Sequence, residues 1–192
     1  RSLAAEPAAS MALIEPLAIL VAWCLGPRKY HLGWSTLGLR RVHAAWLGPT
    51  CGVLFLFYSV NCLNSVAVSA IVGPVAPAIL RAVGTSRAPG WLLVAAALVA
   101  PFSEETLFRG FVFPGLQGRY GAVRAAVFSS LGFSLLHLQP AAAIPLFAVG
   151  ALLCLLYRKT NSLWPGIALH SVVNAVGVMA SILLVRAAIP WG

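Results

Sequence analysis

Residues 103–110, Ser-Glu-Glu-Thr-Leu-Phe-Arg-Gly, place two adjacent glutamates and an arginine in the middle of an apolar segment that extends over residues 91–116. The chain has no aspartate, and its other acidic side chains are Glu6 and Glu15, so half of its negative charge lies in this one segment. Ionisable side chains at bilayer depth are costly and commonly mark functional sites. The stretch therefore predicts a membrane-embedded helix that carries a functional site.

The composition of the whole chain also indicates an integral membrane protein. Of its 192 residues, 60% are hydrophobic and only 9% are charged, and the mean hydropathy is +0.92. Soluble domains contain about 25% charged residues. The net charge of +9 comes from basic residues in short loops between apolar segments, where such residues orient a protein in its membrane. We therefore expect the lipid bilayer as a partner and no binding of nucleic acid.

Six apolar segments approach the roughly 20 residues that cross a bilayer core as a helix. They predict an all-α fold, a polytopic membrane helix bundle of about six transmembrane helices with the functional site in the bundle core, at residues 11–26, 46–72, 91–116, 122–138, 141–157 and 163–187. Two segments leave alternatives open. The first contains Glu15 and Pro16 and could be interfacial or signal-like, and the fifth is short enough to be re-entrant.

The segments divide the chain into two parts. Residues 1–45 are predicted to form an N-terminal segment with a possible first transmembrane helix and an interfacial linker, and residues 46–192 a membrane-embedded core. The linker, residues 26–45, mixes aromatic and leucine side chains with four basic residues, which is typical of a segment lying on anionic headgroups. Loops after the first, third and fifth segments hold eight basic residues, whereas the opposite loops hold only Arg81 and Arg87. The positive-inside rule places the richer loops in the cytoplasm.

The first polar motif is the pair of glutamates with its arginine. Residues four apart share one face of an α-helix, and a buried ion needs a partner, so Glu105 and Arg109 are predicted to form an ion pair. Glu104 then remains as the carboxylate available for chemistry. Pro101 lacks a backbone N–H and is expected to kink the helix just before the motif.

Two further motifs place histidines one helical turn from a second residue. Phe133 and His137 lie near the end of the fourth segment, and His170 and Asn174 lie in the sixth. Taken singly, helix-borne polar residues of this kind are typical of hydrogen bonds between neighbouring helices. Taken together with the glutamates, they lie on three helices, which is the distribution expected of a site in a bundle core.

Other residues are assigned to helix packing. Gly110 and Gly115 are expected to let helices approach closely, and Asn61 and Asn64 to form hydrogen bonds between helices.

In chain order the three motifs are Glu-Glu-x-x-x-Arg, Phe-x-x-x-His and His-x-x-x-Asn, all within residues 91–180. In these motifs the chain resembles the intramembrane protease family that unites type II CAAX prenyl endopeptidases with bacterial bacteriocin-processing and bacteriocin self-immunity proteins. Residues 36–39, Thr-Leu-Gly-Leu, are also similar to a stretch common in that family. The resemblance implies an endopeptidase of a bacterial inner membrane that cuts near the C-terminus of a membrane-tethered protein or peptide. Two other functions stay open: a non-catalytic scaffold or bacteriocin self-immunity protein of the same fold, and a proton-relaying transporter.

The chain's own residues agree with hydrolysis by an activated water. It has no Gly-x-Ser-x-Gly elbow, no aspartate pair and no His-Glu-x-x-His motif. We expect Glu104, with His137, to hold and deprotonate the water, and His170 and Asn174 to donate hydrogen bonds to the oxyanion. Glu105, Arg109 and Phe133 are expected to support the site.

A metal ion is the open question of mechanism. Glu104, His137 and His170 also match the ligands of a catalytic zinc ion with one open position. The sequence does not decide between zinc and a metal-free site, and we favour the metal-free route.

The predicted topology contains one conflict. His170 lies near the cytoplasmic start of the sixth segment, whereas His137 lies near the outer end of the fourth. Straight spans would separate the two side chains. The conflict would be relieved if the fourth segment began deeper or broke near Gly132, or if the fifth were re-entrant.

Overall fold

The computed structural model describes residues 7–188, and Glu6 lies outside this range. Within it the chain forms seven helices and no strand, which confirms the all-α prediction. The helices are α1 Pro7–Leu25, α2 Leu47–Val72, α3 Ala78–Thr85, α4 Pro89–Tyr120, α5 Ala122–Leu136, α6 Ala143–Thr160 and α7 Trp164–Ala188. Short 3₁₀ turns lie at Trp34–Leu37, Ala44–Trp46 and Pro140–Ala142.

Each predicted apolar segment is helical, but the segments differ in length. Between residues 7 and 188, four helices are long and apolar enough to cross a membrane, at Ala44–Val72, Pro89–Tyr120, Pro140–Thr160 and Trp164–Ala188. Leu13–Leu25 and Ala122–Leu136 are shorter. The four long helices and the two shorter apolar ones correspond to the six predicted segments, as expected of a polytopic helix bundle. The fifth segment reaches crossing length because its helix extends to Thr160.

The short helix α5 resolves the conflict between the two histidines. Its 15 residues span about 22 Å at 1.5 Å per residue, which is less than a bilayer core requires. The helix is unbroken at Gly132 and ends at Leu136, and Leu138 then turns the chain with a φ of 51°. His137 therefore does not reach the far end of a span. Its Nε2 lies 3.9 Å from Oε2 of Glu104.

Helix α4 changes its hydrogen-bonding pattern beside its inner prolines. Ala95–Val99 and Thr106–Val112 form π-helical turns, in which an N–H bonds to the carbonyl five residues earlier. The Ala100 N–H follows this pattern, and Pro101 has no N–H to offer the next carbonyl, that of Ala96. The kink expected at the proline is thus a widened turn, and it releases the Ala96 carbonyl for a side-chain partner.

The linker between α1 and α2 packs partly on the protein. Leu37 is only 2% exposed, the Leu163 N–H donates to the Gly38 carbonyl at 2.8 Å, and Ser162 Oγ donates to the Arg40 carbonyl at 2.6 Å. A Cβ at Gly110 would lie 2.7 Å from the Leu37 carbonyl oxygen. Gly110 therefore permits close approach of the linker and not, as predicted, of a helix.

Gly115 does not have the predicted packing role, because a Cβ there would meet no atom within 4 Å. Gly110 and Gly115, both in α4, thus form a matched pair. We expect Gly110→Ala to lower the free energy of unfolding by about 1–3 kcal/mol through overpacking, and Gly115→Ala to be neutral or to raise it by about 0.5–1 kcal/mol through helix propensity. Thermal unfolding in detergent measures both. Equal midpoints for the two variants would contradict the linker contact.

Candidate active site

Three helices bring the predicted site residues together around Glu104 in α4. Its Oε2 lies 3.9 Å from Nε2 of His137, at the end of α5, and 3.8 Å from Nε2 of His170 in α7. This oxygen is buried and has no hydrogen-bond partner among residues 7–188. The convergence expected from the three motifs is therefore observed, with one carboxylate oxygen facing two imidazole nitrogens.

Glu105 makes the predicted ion pair. Arg109 Nη1 donates to Glu105 Oε1 at 2.9 Å, and the side chains are 0% and 1% exposed. Arg109 Nη2 donates to the Gly150 carbonyl in α6 at 3.2 Å. Glu105 Oε1 also accepts a hydrogen bond from Nδ1 of His170 at 3.2 Å. The pair therefore joins α4 to α6 and, in addition, holds the ring of a site histidine.

Phe133 forms the apolar centre of the same group. Its ring centroid lies 4.6 Å from that of His137 and 5.9 Å from that of His170. The Arg109 guanidinium lies 4.6 Å from the ring centroid, within the range of a cation–π interaction. The side chain is buried among Phe108, Leu153 and other apolar residues, so it fixes the positions of all three polar partners.

The hydrogen bonds of the histidines define which nitrogens face Glu104. His137 Nδ1 lies 2.8 Å from the Phe133 carbonyl oxygen, and His170 Nδ1 lies beside the Glu105 carboxylate. Both partners can only accept, so Nδ1 carries the proton in each neutral ring. Nε2 then presents a lone pair towards Glu104 Oε2 in both residues. Such anchored imidazoles are oriented before any substrate binds.

Asn174 lies at the edge of the site and is held by the widened turn of α4. Its Nδ2 donates to the released carbonyl of Ala96 at 2.8 Å. A side-chain amide has two N–H donors, and this bond uses one of them. The amide is therefore fixed in place while a second donor remains on the same nitrogen.

A cavity of about 800 Å³ borders the site. Glu104, His137 and Asn174 line it together with residues of α2, α3 and α7, most of them apolar. The turn that carries His137 forms part of the wall and is fastened by Asn64, whose Nδ2 donates to the Ala141 carbonyl at 2.8 Å. Asn64 thus makes the predicted hydrogen bond, from α2 to the 3₁₀ turn Pro140–Ala142 that precedes α6.

Several contributors were not anticipated from the sequence. The Ser103 hydroxyl donates to the Glu15 carbonyl and packs α1 against α4, and the Glu15 carboxylate is within electrostatic range of Glu104 and His170. A Cβ at Gly166 would lie 2.9 Å from Glu105 Oε2, so this glycine lets α7 approach the ion pair. The sequence signal for Glu15 was its charge in an apolar segment, whereas Gly166 had none.

The predicted zinc ligands have suitable chemistry but a wide spacing. A carboxylate oxygen and two neutral Nε2 atoms are zinc donors, and two ligands of a tetrahedral zinc ion lie about 3.4 Å apart. Glu104 Oε2 lies 3.8 and 3.9 Å from the two nitrogens. Between residues 7 and 188, no group of three or more His, Cys, Asp or Glu side chains is arranged to hold a metal ion. Both distances exceed the spacing of tetrahedral zinc ligands by about 0.4–0.5 Å.

Residues 86–176 match the Rce1-like family of type II CAAX prenyl endopeptidases. The matched range contains all three motifs and agrees within a few residues with the range 91–180 expected from them. The resemblance stated from the motifs is therefore confirmed.

Two bacterial proteins are similar to the chain. UPF0177 protein YxdF of Lactococcus lactis subsp. lactis (strain IL1403) is 28% identical over 181 residues, which cover 91% of this chain and 95% of that protein. Putative membrane peptidase YdiL of Bacillus subtilis (strain 168) is 26% identical over 95 residues, 50% of this chain and 39% of that protein. No solved structure matches the chain at a significant level. The chain is an integral membrane protein with a membrane-peptidase type of fold.

Proposed function

Since residues 86–176 match the type II CAAX prenyl endopeptidases, we propose that this protein is an intramembrane endopeptidase that hydrolyses a peptide bond near the C-terminus of a membrane-tethered protein or peptide. One observation supports the proposal most directly. Glu104 Oε2 lies 3.8 and 3.9 Å from two oriented imidazole nitrogens, and residue Glu104 is part of the lining of a cavity large enough for a polypeptide segment. We place the protein in a bacterial inner (cytoplasmic) membrane, and the bacterial source of both relatives, one of them named a putative membrane peptidase, supports this location.

In this mechanism Glu104 is the general base. A water molecule between Glu104 Oε2 and His137 Nε2 would donate one hydrogen to each, because both atoms are acceptors when His137 is neutral. As the water oxygen attacks the substrate carbonyl carbon, its proton passes to Glu104. Glu104 then delivers this proton to the leaving amine, so that water is divided between the two products.

The oxyanion would be stabilised by Asn174 and His170. Asn174 offers its second N–H, the one that is not bonded to the Ala96 carbonyl. The hydrogen bond to Ala96 fixes the position of this donor. His170 donates from Nε2 only as an imidazolium ion, because Glu105 accepts the proton on Nδ1. Fixed donors of this kind stabilise developing charge without having to reorganise during the reaction.

We further propose that the reaction requires no metal. Support comes from the distances of 3.8 and 3.9 Å between Glu104 Oε2 and the two histidine nitrogens, and from the presence of a general base, Glu104, and an oxyanion donor, Asn174, among the chain's own side chains. We expect purified protein, dialysed against a strong chelator, to retain its rate of peptide cleavage, with no stoichiometric metal in elemental analysis. Loss of activity on chelation, with recovery on addition of zinc, would overturn this part of the proposal.

Comparison of protein termini in cells tests the proposed function and identifies the substrate in the same experiment. Cells that carry the wild-type protein are compared with cells that carry Glu104→Gln, and new C-termini or N-termini are identified by mass spectrometry. We expect membrane-tethered proteins or peptides cut near the C-terminus only in the wild type. Identical termini together with an intact cellular phenotype in the Glu104→Gln strain would instead favour a non-catalytic scaffold or immunity protein of the same fold.

A further inference from the structure

One face of helix α2 carries a row of polar side chains towards the cavity. Tyr58, Asn61, Ser65 and Ser69 follow each other at steps of three or four residues, and all four line the same cavity as Glu104. We call this row the α2 strip. The other side of α2 exposes large apolar side chains, including Phe55, Leu63 and Ile71. The polar residues of the strip therefore face the cavity, whereas the exposed surface of the helix carries large apolar side chains.

Tyr58 occupies the end of the strip nearest the chemistry. It packs against the core cluster that contains Phe133 and Leu169, which lie one helical turn before His137 and directly before His170 in the chain. Its hydroxyl is buried and has no hydrogen-bond partner among the described residues. A buried hydroxyl without a partner costs about 1–3 kcal/mol, so a ligand that bonds to it would recover that cost.

The strip matches the needs of an extended peptide. At membrane depth, each unsatisfied backbone N–H or C=O costs several kcal/mol, and a peptide bond must leave any helix before it can be attacked. The strip runs for about 16 Å along α2 at 1.5 Å per residue, which corresponds to about five residues of extended chain at 3.3 Å each. A lipid tail, by contrast, would gain nothing from a row of hydroxyl and amide groups.

We propose that the α2 strip binds the extended backbone of the substrate on one side of the cleaved bond, with Tyr58 closest to that bond. The inference rests on the proposed function for the identity of the peptide. It adds a substrate-binding surface, on a helix that carries none of the three motifs. It also aligns the bound segment with α2, so that one end lies near Ser69 and the cleaved bond lies near Glu104.

Binding to an inactive variant tests the strip separately from turnover. Protein with Glu104→Gln is placed in phosphatidylcholine vesicles with a fluorescein-labelled peptide, anchored in one probe by an S-farnesyl cysteine and in the other by an apolar C-terminal helix. We expect Tyr58→Phe and Asn61→Leu each to raise the Kd of the better-bound peptide about five- to tenfold, the usual effect of one hydrogen bond. Tyr120→Phe, on the far end of α4 beside Phe128, is the matched control and should leave the Kd unchanged.

A second probe identifies the bonded groups. In it, ester linkages replace the peptide bonds of the segment next to the anchor, which removes backbone N–H donors and keeps every side chain. We expect this probe to bind more weakly to the parent protein and to be less sensitive to Asn61→Leu.

Three results would overturn the inference: an unchanged Kd in both strip variants, equal binding of ester and amide probes, or no binding of either anchored peptide. The proposed function fails separately. In that case protein with Glu104 intact would bind the peptide through the strip and leave it uncut.

Discussion

Glu104→Gln is expected to lower the rate of peptide cleavage by about a thousandfold, within the range that general-base catalysis contributes, and to leave the fold intact. Glutamine has the size of glutamate but cannot take a proton from water at neutral pH. No hydrogen bond of the described chain is lost at Oε2, because this oxygen has no protein partner. Cleavage of an anchored fluorogenic peptide in vesicles gives the rate, and thermal unfolding in detergent gives the stability.

Glu15→Gln is the matched control for this change. It removes the neighbouring carboxyl group, which interacts electrostatically with Glu104 and His170, yet it leaves Glu104 itself ionisable. We expect an effect below about tenfold, since a neighbouring acidic group modulates the general base without replacing it. A Glu104→Gln enzyme that keeps more than a tenth of the wild-type rate, or a Glu15→Gln enzyme that is equally inactive, would show that Glu104 is not the base.

The parts of the site that follow from local spacing could be predicted from sequence. Glu105 and Arg109 are four residues apart on one helix, so their pairing required no knowledge of neighbouring helices. The motifs also indicated which histidines belong to the site. What they did not indicate was that Glu105 also holds His170, because this contact depends on the position of α7 against α4 and on the missing Cβ of Gly166.

The end of the helix before His137 was mispredicted for a related reason. Apolar composition continues through Leu138, and the fourth segment was therefore extended to that residue. The helix ends at Leu136, and Pro140 contributes to this because the residue before a proline avoids the helical conformation. Helix ends are set by backbone geometry, which apolar composition does not report.

The hydrogen bond between Asn174 and the Ala96 carbonyl could not be predicted from the sequence either. Pro101 indicated a disturbed backbone, but the sequence could not tell where the freed carbonyl would find a donor. The structure places that carbonyl beside Asn174, so a defect in one helix orients a polar side chain of another. The hydrogen-bond partner of a polar residue on another helix is thus known only once the packing of the helices is known.

The second large effect is expected for Arg109→Leu, which should lower the free energy of unfolding by about 3–5 kcal/mol, the usual cost of leaving one partner of a buried ion pair. Glu105 would keep its charge at 1% exposure, and the Gly150 carbonyl would lose its donor. The thermal midpoint in detergent and the yield of folded protein both measure the loss. Arg119→Leu, an exposed arginine on the same helix, should change stability by less than about 0.5 kcal/mol.

The double variant Glu105→Gln/Arg109→Leu separates charge from packing. It removes both ions, and the amide oxygen of the new glutamine side chain could still accept the hydrogen bond from His170 Nδ1. We expect it to recover most of the stability lost in Arg109→Leu, since replacing both buried ions is far less costly than removing one. If the double variant is as unstable as Arg109→Leu, the loss comes from the contacts of Arg109 with Phe133 and Gly150, and Glu105 is held mainly by His170.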